Sequence, residues 1–206
     1  MMRQNSSNLS VESLDNKKNQ YIYSDEQLIS RFQSGDESAY IELVNRYKDR
    51  LTNFVYYFLK DEEQTEDVVQ ETFIKLYEKK HYYKKIAKFS TWIYTIARNL
   101  ANTELRKKIR RKTSVFSQIS KHDYDYELPS SQPEVSQEFE NDYVGKRIQK
   151  AINQLQDPFK EVIILRDMQN LSYDDISLII DVPIGTVKSR INRARLQLQI
   201  ELKDLK

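Results

Sequence analysis

An all-α fold of two small helical domains joined by a flexible linker, the C-terminal one containing a helix-turn-helix, follows from three observations. The 206 residues include only three glycines and four prolines, too few for the many turns of a strand-rich chain. Apolar residues recur at three- and four-residue intervals over most of the length, the spacing of one helix face. Between about 113 and 137 that period stops, and serines and prolines take its place, the composition of a linker.

Each element has its own signal. Residues 1–23 are rich in Asn, Ser, Gln and Lys without a sustained period, which describes a flexible tail. Ser24 and Gln27 have capping-box spacing ahead of a short helix carrying Leu28, Ile29 and Phe32. Gly35 closes it, and Ser34 or Asp36 can cap the next. That second helix is long, with Tyr40, Leu43, Val44, Tyr47, Leu51, Phe54, Val55 and Phe58 on one face. After a polar break at Asp61 to Gln64, Val68, Val69, Phe73 and Leu76 mark a third helix. An aromatic and basic loop from His81 to Phe89 leads to Ser90 and a fourth, with Trp92, Ile93, Ile96, Ala97 and Leu100. These four make a first domain over 24–112, followed by the linker 113–137.

The second domain, 138–206, restarts the period at Phe139, Tyr143, Val144, Ile148 and Ile152. Asp157-Pro158 predicts an N-cap and a first-turn proline, opening a helix to about Met168. Ser172 with Asp175 caps a short helix containing Ile176, Ile179 and Ile180. Asp181-Val182-Pro183 then turns the chain tightly into a final helix reaching about Leu202.

Composition excludes several functions. With no cysteine there is no disulfide scaffold, thiol nucleophile or thiolate zinc site. His81 and His122 are too few for a histidine metal cluster, and no apolar run approaches the ~18 residues of a membrane span. We therefore expect a cytoplasmic chain without membrane insertion, catalytic residues, metal or cofactor. The net charge of +2 conceals a segregated distribution. Six of the seven residues from Arg106 to Lys112 are basic, Lys121 to Asp142 holds seven acids and one lysine, and from Pro183 onward six basic residues accompany two acidic ones.

The final helix divides cleanly. At 100° per residue, Val187, Ile191, Ala194, Leu198 and Leu202 fall within an arc of about 80°, a stripe to be buried. Thr186, Ser189, Asn192 and Arg193 take the opposite side, while Lys188, Arg190 and Arg195 flank the stripe within reach of phosphates. Lys188, Ser189, Asn192 and Arg193 should be solvent-exposed. Short polar groups and guanidinium on one face, with apolar packing behind, suit a recognition helix reading base edges, although an ordinary amphipathic surface helix can share that pattern. In the third helix Asp67, Gln70 and Glu71 form one polar face opposite Val69, Phe73 and Leu76, by itself only a solvated surface. Around the fourth helix, Tyr82, Tyr83, Phe89 and Trp92 could platform unstacked bases, Asn99, Asn102 and Thr103 could read them, and Arg98 with Arg106 to Lys112 could hold phosphates. Phe89 and Trp92 could equally be core.

These residues also carry a resemblance. Leu171-Ser-Tyr-Asp-Asp-Ile-Ser177 followed by Asp181-Val-Pro-Ile-Gly-Thr-Val-Lys-Ser-Arg-Ile-Asn-Arg-Ala-Arg195 resembles region 4 of bacterial RNA polymerase sigma factors, closest to the extracytoplasmic-function class. Asp67-Val-Val-Gln-Glu-Thr-Phe-Ile-Lys-Leu-Tyr77 and Phe89-Ser-Thr-Trp-Ile-Tyr-Thr-Ile-Ala-Arg-Asn99 resemble region 2. Tyr77 stands where the family often has tryptophan, and Ser177 where alanine is usual. The resemblance implies that Thr186, Lys188, Ser189, Arg190, Asn192 and Arg193 meet the minus-35 promoter element. It implies that Tyr83, Phe89, Trp92, Arg98, Asn99, Thr103 and Arg106 serve the minus-10 element, with Tyr83 lining a pocket for a flipped base. Asp67, Gln70 and Glu71 would bind the polymerase clamp. Core RNA polymerase, promoter DNA and an anti-sigma factor packed between the domains are the implied partners. The alternatives are a dimeric helix-turn-helix regulator acting alone on duplex DNA, and a helical interaction protein without a nucleic-acid role.

Overall fold

The computed structural model describes residues 23–119 and 140–205, with side chains for 23–111 and 143–205. Among these residues all regular structure is helical, in eight α-helices. The first unit holds α1 (Asp25–Gln33), α2 (Glu37–Leu59), α3 (Glu62–Lys79), a short 3₁₀ turn (Lys80–Tyr82) and α4 (Phe89–Ile119). The second holds α5 (Glu140–Gln154), α6 (Asp157–Ile163) continued by a π-helical turn (Ile164–Met168), α7 (Tyr173–Ile180) and α8 (Ile184–Glu201).

The helix starts obey local chemistry. Ser24 and Gln27 form the capping box of α1, and Asp36 caps α2 by accepting from the amides of Ser38 and Ala39. Gly35 between them has φ +101°, a left-handed conformation open to glycine at no steric cost. Asp61 caps α3 through the amide of Gln64. Ser172 and Asp175 complete a second capping box at α7.

Two expectations are revised. The N-cap of α6 is Gln156, with Asp157 and Pro158 already in the first turn and no side chain capping it. The fourth helix does not stop at the basic block but continues to Ile119, into the segment expected to be linker. The 1–22 tail and most of that linker lie outside the described residues.

α1, α2, α3 and α4 enclose a core of Phe32, Leu43, Tyr47, Leu51, Phe54, Leu76, Phe89, Ile93 and Tyr94. That core does not end at the first unit. Ile152, Val162, Ile164, Leu165, Ile176, Ile179 and Val187 belong to the same contiguous apolar cluster, because α7 lies along α4. A small satellite of Leu155, Ile163 and Ala194, flanked by Phe159, lies apart in the second unit, with Leu198 touching both clusters. The two units therefore pack directly on each other, and an inhibitor could lie between them only if they first part.

Candidate nucleic-acid interface

The helix-turn-helix is built by α7, its turn and α8. Asp181 ends α7 in the left-handed region at φ 54°, which short polar side chains tolerate best after glycine. Ser177, where the family usually has alanine, donates its hydroxyl to the Val182 carbonyl at 2.6 Å and ties the turn shut. On α8, Val187, Ile191 and Ala194 are fully buried, and Leu198 and Leu202 are half-buried. Lys188, Ser189, Asn192 and Arg193 are exposed, while Thr186 and Arg190 are half-buried at the edges. The apolar stripe and the polar face thus fall where the helical spacing put them. Arg195 is engaged otherwise: its guanidinium forks onto Asp167 at the end of the π-helical turn.

At the other candidate face, the aromatic cluster sorts into core and surface. Phe89 is 0% exposed, packed edge-on against Tyr47 and Tyr83. Tyr83 is also buried and donates its hydroxyl to the Ala87 carbonyl at 2.9 Å. Neither ring is exposed for stacking in this structure, so Phe89 takes the core position that the sequence left open, and Tyr83, expected to line a base pocket, lies inside with it. Apolar surface at the start of α4 outweighs stacking, because it seals the end of the first unit. Trp92 is half-buried, its ring centroid 5.4 Å from that of Tyr83. The loop's exposed groups include Tyr82, Lys84, Lys85, Ile86 and Lys88, with Tyr82 78% and Ile86 90% exposed. Gln33 anchors this loop by donating to the carbonyls of Lys80 and Tyr83.

Along α4, Asn99, Thr103 and Arg106 are exposed one turn after another. Thr103 Oγ1 donates to the Asn99 carbonyl at 2.8 Å. Arg98 does not share their freedom. It is turned toward the second unit, where its Nε donates to Glu161.

Asp67 and Gln70 are exposed on α3, with Glu71 half-buried and paired to Lys75 at 2.9 Å. All three line a groove of about 500 Å³ whose far wall is α4, including Thr103 and Lys107. The residues expected to face polymerase and one expected to face DNA therefore share a single valley. Tyr77, the other departure from the family, packs on Phe32 and Tyr40 and donates to Glu37 at 3.1 Å.

Across the boundary between the units, polar contacts accumulate that periodicity cannot reveal. Lys88 Nζ and Thr91 Oγ1 each donate to Asp175 at 2.9 Å. Burial opposes ionisation of Asp175, but hydrogen bonds from Ser172, Lys88 and Thr91 outweigh it and hold the carboxyl below its ordinary value. Gln169, almost fully buried, accepts from Tyr94 and Arg50. Further out, Tyr57 donates to Gln149 at 2.6 Å, and Lys60, beside the Tyr57 ring, donates to Asn153. Among the described residues, no group of three or more His, Asp or Glu could hold a metal ion, and no helix is long and apolar enough to cross a membrane.

A helix-turn-helix with an exposed polar face, packed on a four-helix unit whose last helix carries a basic run, defines a two-unit helical protein of the DNA-binding type. Residues 43–111 match the family model of sigma-70 region 2, and residues 145–198 match that of sigma-70 region 4. The ECF RNA polymerase sigma factor SigW of Bacillus subtilis is 35% identical over 188 residues, covering 86% of this chain and 96% of its own. The RNA polymerase sigma-H factor of Pseudomonas aeruginosa is 33% identical, covering 83% and 90%. Among solved structures, the sigma factor RpoE of Bartonella quintana, in complex with the anti-sigma factor NepR, matches at a TM-score of 0.58 and 26% identity, covering 79% of this chain and 95% of that one. The chain belongs to the ECF class of sigma-70-type sigma factors.

Proposed function

We propose that this chain binds core RNA polymerase in the cytoplasm as an alternative sigma factor and directs it to promoters. Chemistry stays with the polymerase; this chain supplies recognition. In this reading α8 enters the major groove at the minus-35 element, with Arg193 the best placed for a bidentate guanine contact and Lys188, Ser189 and Asn192 beside it. Asn99, Thr103 and Arg106 face the minus-10 element, and the exposed loop residues Tyr82, Lys84 and Lys85 take over the stacking and phosphate roles that Tyr83 and Phe89 cannot fill. Asp67, Gln70 and Glu71 meet the polymerase clamp. An anti-sigma factor is the regulatory partner.

The observation that carries the reading is the division of α8, with Val187 and Ile191 buried and Arg193 and Asn192 free on the other side. Run-off transcription with purified core enzyme on a genomic promoter library tests it. Promoter-selective transcripts that require this chain are the expected result. A chain that shifts duplex DNA without polymerase, at sites of two-fold symmetry, is a stand-alone regulator instead.

A further inference from the structure

A cleft of about 290 Å³ lies between α4, α6 and the turn into α8, apart from both the exposed face of α8 and the polar face of α3. Its floor is apolar. Phe58, Leu105 and Val182 are half-buried against the shared core, and Ile180 lies beside them. The protein's own side chains leave that hydrocarbon surface partly uncovered.

The rim carries five polar side chains, and their pairing decides what the cleft can take. Arg98 donates its Nε proton to Glu161, and Lys160, outside the cleft, pairs with Asp157 at 3.5 Å. Both carboxylates are thereby balanced. Among the described residues, no ion pair or hydrogen bond engages the guanidinium of Arg190 or the side-chain amide of Asn102. Both groups are half-buried beside the floor. One unbalanced cation and one spare amide over a hydrocarbon surface suit a single negative charge on an apolar body. The planar fork of a guanidinium matches a carboxylate in bidentate fashion, whereas the second charge of a phosphate monoester would find no second unpaired cation here. At about 30 Å³ per non-hydrogen atom, the share of one water in the liquid, the cleft holds about ten such atoms, as many as octanoate has.

We propose that this cleft is a binding site for a small amphipathic monocarboxylate, its carboxylate forked by Arg190 and its aliphatic chain laid on Phe58, Leu105 and Val182. Asn102 donates to the same carboxylate. The first unit supplies Phe58, Asn102 and Leu105, and the second supplies Val182 and Arg190, so neither unit holds the site alone. The site does not depend on the sigma-factor reading, because its chemistry is independent of what α8 contacts.

Octanoate titrated into the nitrogen-15-labelled full chain tests the site by nuclear magnetic resonance. The Arg190 Nε and Asn102 side-chain signals should shift together and saturate. Each methylene removed, from octanoate to hexanoate, should weaken binding about two- to fourfold. Octanol and octylammonium should bind about tenfold more weakly than octanoate, since neither brings a charge that the guanidinium can pair. Arg190→Gln should weaken octanoate about tenfold and leave octanol unchanged, while Leu105→Trp, which fills the floor, should abolish binding of both. If circular dichroism shows Leu105→Trp misfolded, Arg190→Gln, at a position half open to solvent, decides alone. Failure to saturate overturns the site, as does octanol or octylammonium binding as well as octanoate, or an affinity indifferent to Arg190→Gln. Shifts at exposed apolar residues such as Ile86 and Ile200, in place of Arg190 and Asn102, would mean general adhesion of an amphiphile and overturn it too.

Discussion

Tyr94 donates its hydroxyl proton to Oε1 of Gln169 at 2.6 Å, joining the centre of the first unit to the end of the π-helical turn in the second. Burial pushes the Tyr94 hydroxyl up to about 12, so it stays a donor throughout the useful pH range. Arg50 completes the arrangement, giving Nη2 to the Gln169 carbonyl at 3.1 Å. A buried amide satisfied only by the opposite unit couples the folding of the two.

Tyr94→Phe should therefore lower stability by about 1–2 kcal/mol, since it removes one donor and leaves the amide to Arg50. Gln169→Ala should cost more, because Tyr94 and Arg50 both lose their acceptor inside the interface. Urea unfolding should show the second unit melting ahead of the first in Gln169→Ala and the two together in the wild type. Coincident transitions in both proteins would mean that the amide does not couple them.

Acid should loosen the boundary through Asp175. Its carboxyl is held below the ordinary value, so its contribution is present above the unfolded value of about 3.9 and is lost as pH falls through the folded one. Trp92, the single tryptophan, lies next to Thr91 and reports the change by its fluorescence. Asp175→Asn should flatten the acid limb.

The two faces of α8 should fail differently. Val187→Ala and Ile191→Ala create cavities under fully packed side chains and should lower stability by about 1–4 kcal/mol. Arg193→Ala should melt as wild type does and lose about 1–3 kcal/mol of discrimination at one minus-35 base pair. Equal transcription from every minus-35 variant by Arg193→Ala would remove that residue from the reading set.

At the minus-10 side the division is between Phe89 and Tyr82. Phe89→Ala should destabilise by about 3–5 kcal/mol, since the ring is wholly enclosed. Tyr82→Ala should fold normally and weaken single-strand binding by about 1–3 kcal/mol, the value of one stacked base. A thermal melt beside a fluorescence titration separates the two; a Tyr82 variant that unfolds would return the loop to a structural role.

Most helices were legible because their signals are local. Ser24 with Gln27 and Ser172 with Asp175 announce their helices within four residues, and the stripe of α8 is a matter of angles. The aromatic loop is only half legible: spacing cannot tell a ring that seals a core from one that waits for a base, so it leaves both roles open for Phe89, which lies inside, and gives no sign that Tyr83 joins it there. The extent of α4 was misjudged because the run of basic residues from Arg106 is itself made of good helix formers, and nothing in it stops a helix before Ile119. Least legible were Asp175, Glu161 and Gln169 as partners of Lys88, Arg98 and Tyr94. Each pair is separated by more than sixty residues, and periodicity carries no information about who meets whom across a linker.

The shared apolar cluster bears on how such chains can be recombined. Region 2 and region 4 invite treatment as interchangeable cassettes, to be cut at the linker and rejoined in new pairings. Here Ile152, Val162 and Ile176 complete a core begun by Leu51, Phe54 and Tyr94, so the seam that matters runs through side chains and not through the connecting peptide. A chimera that keeps this first half must inherit Gln169, Asp175 and Glu161 with its new second half, or re-choose Arg50, Lys88, Tyr94 and Arg98 to suit. Compatibility between halves is thus a property of seven or so positions far apart in the chain, and a hybrid assembled without regard to them would join two parts that no longer recognise each other.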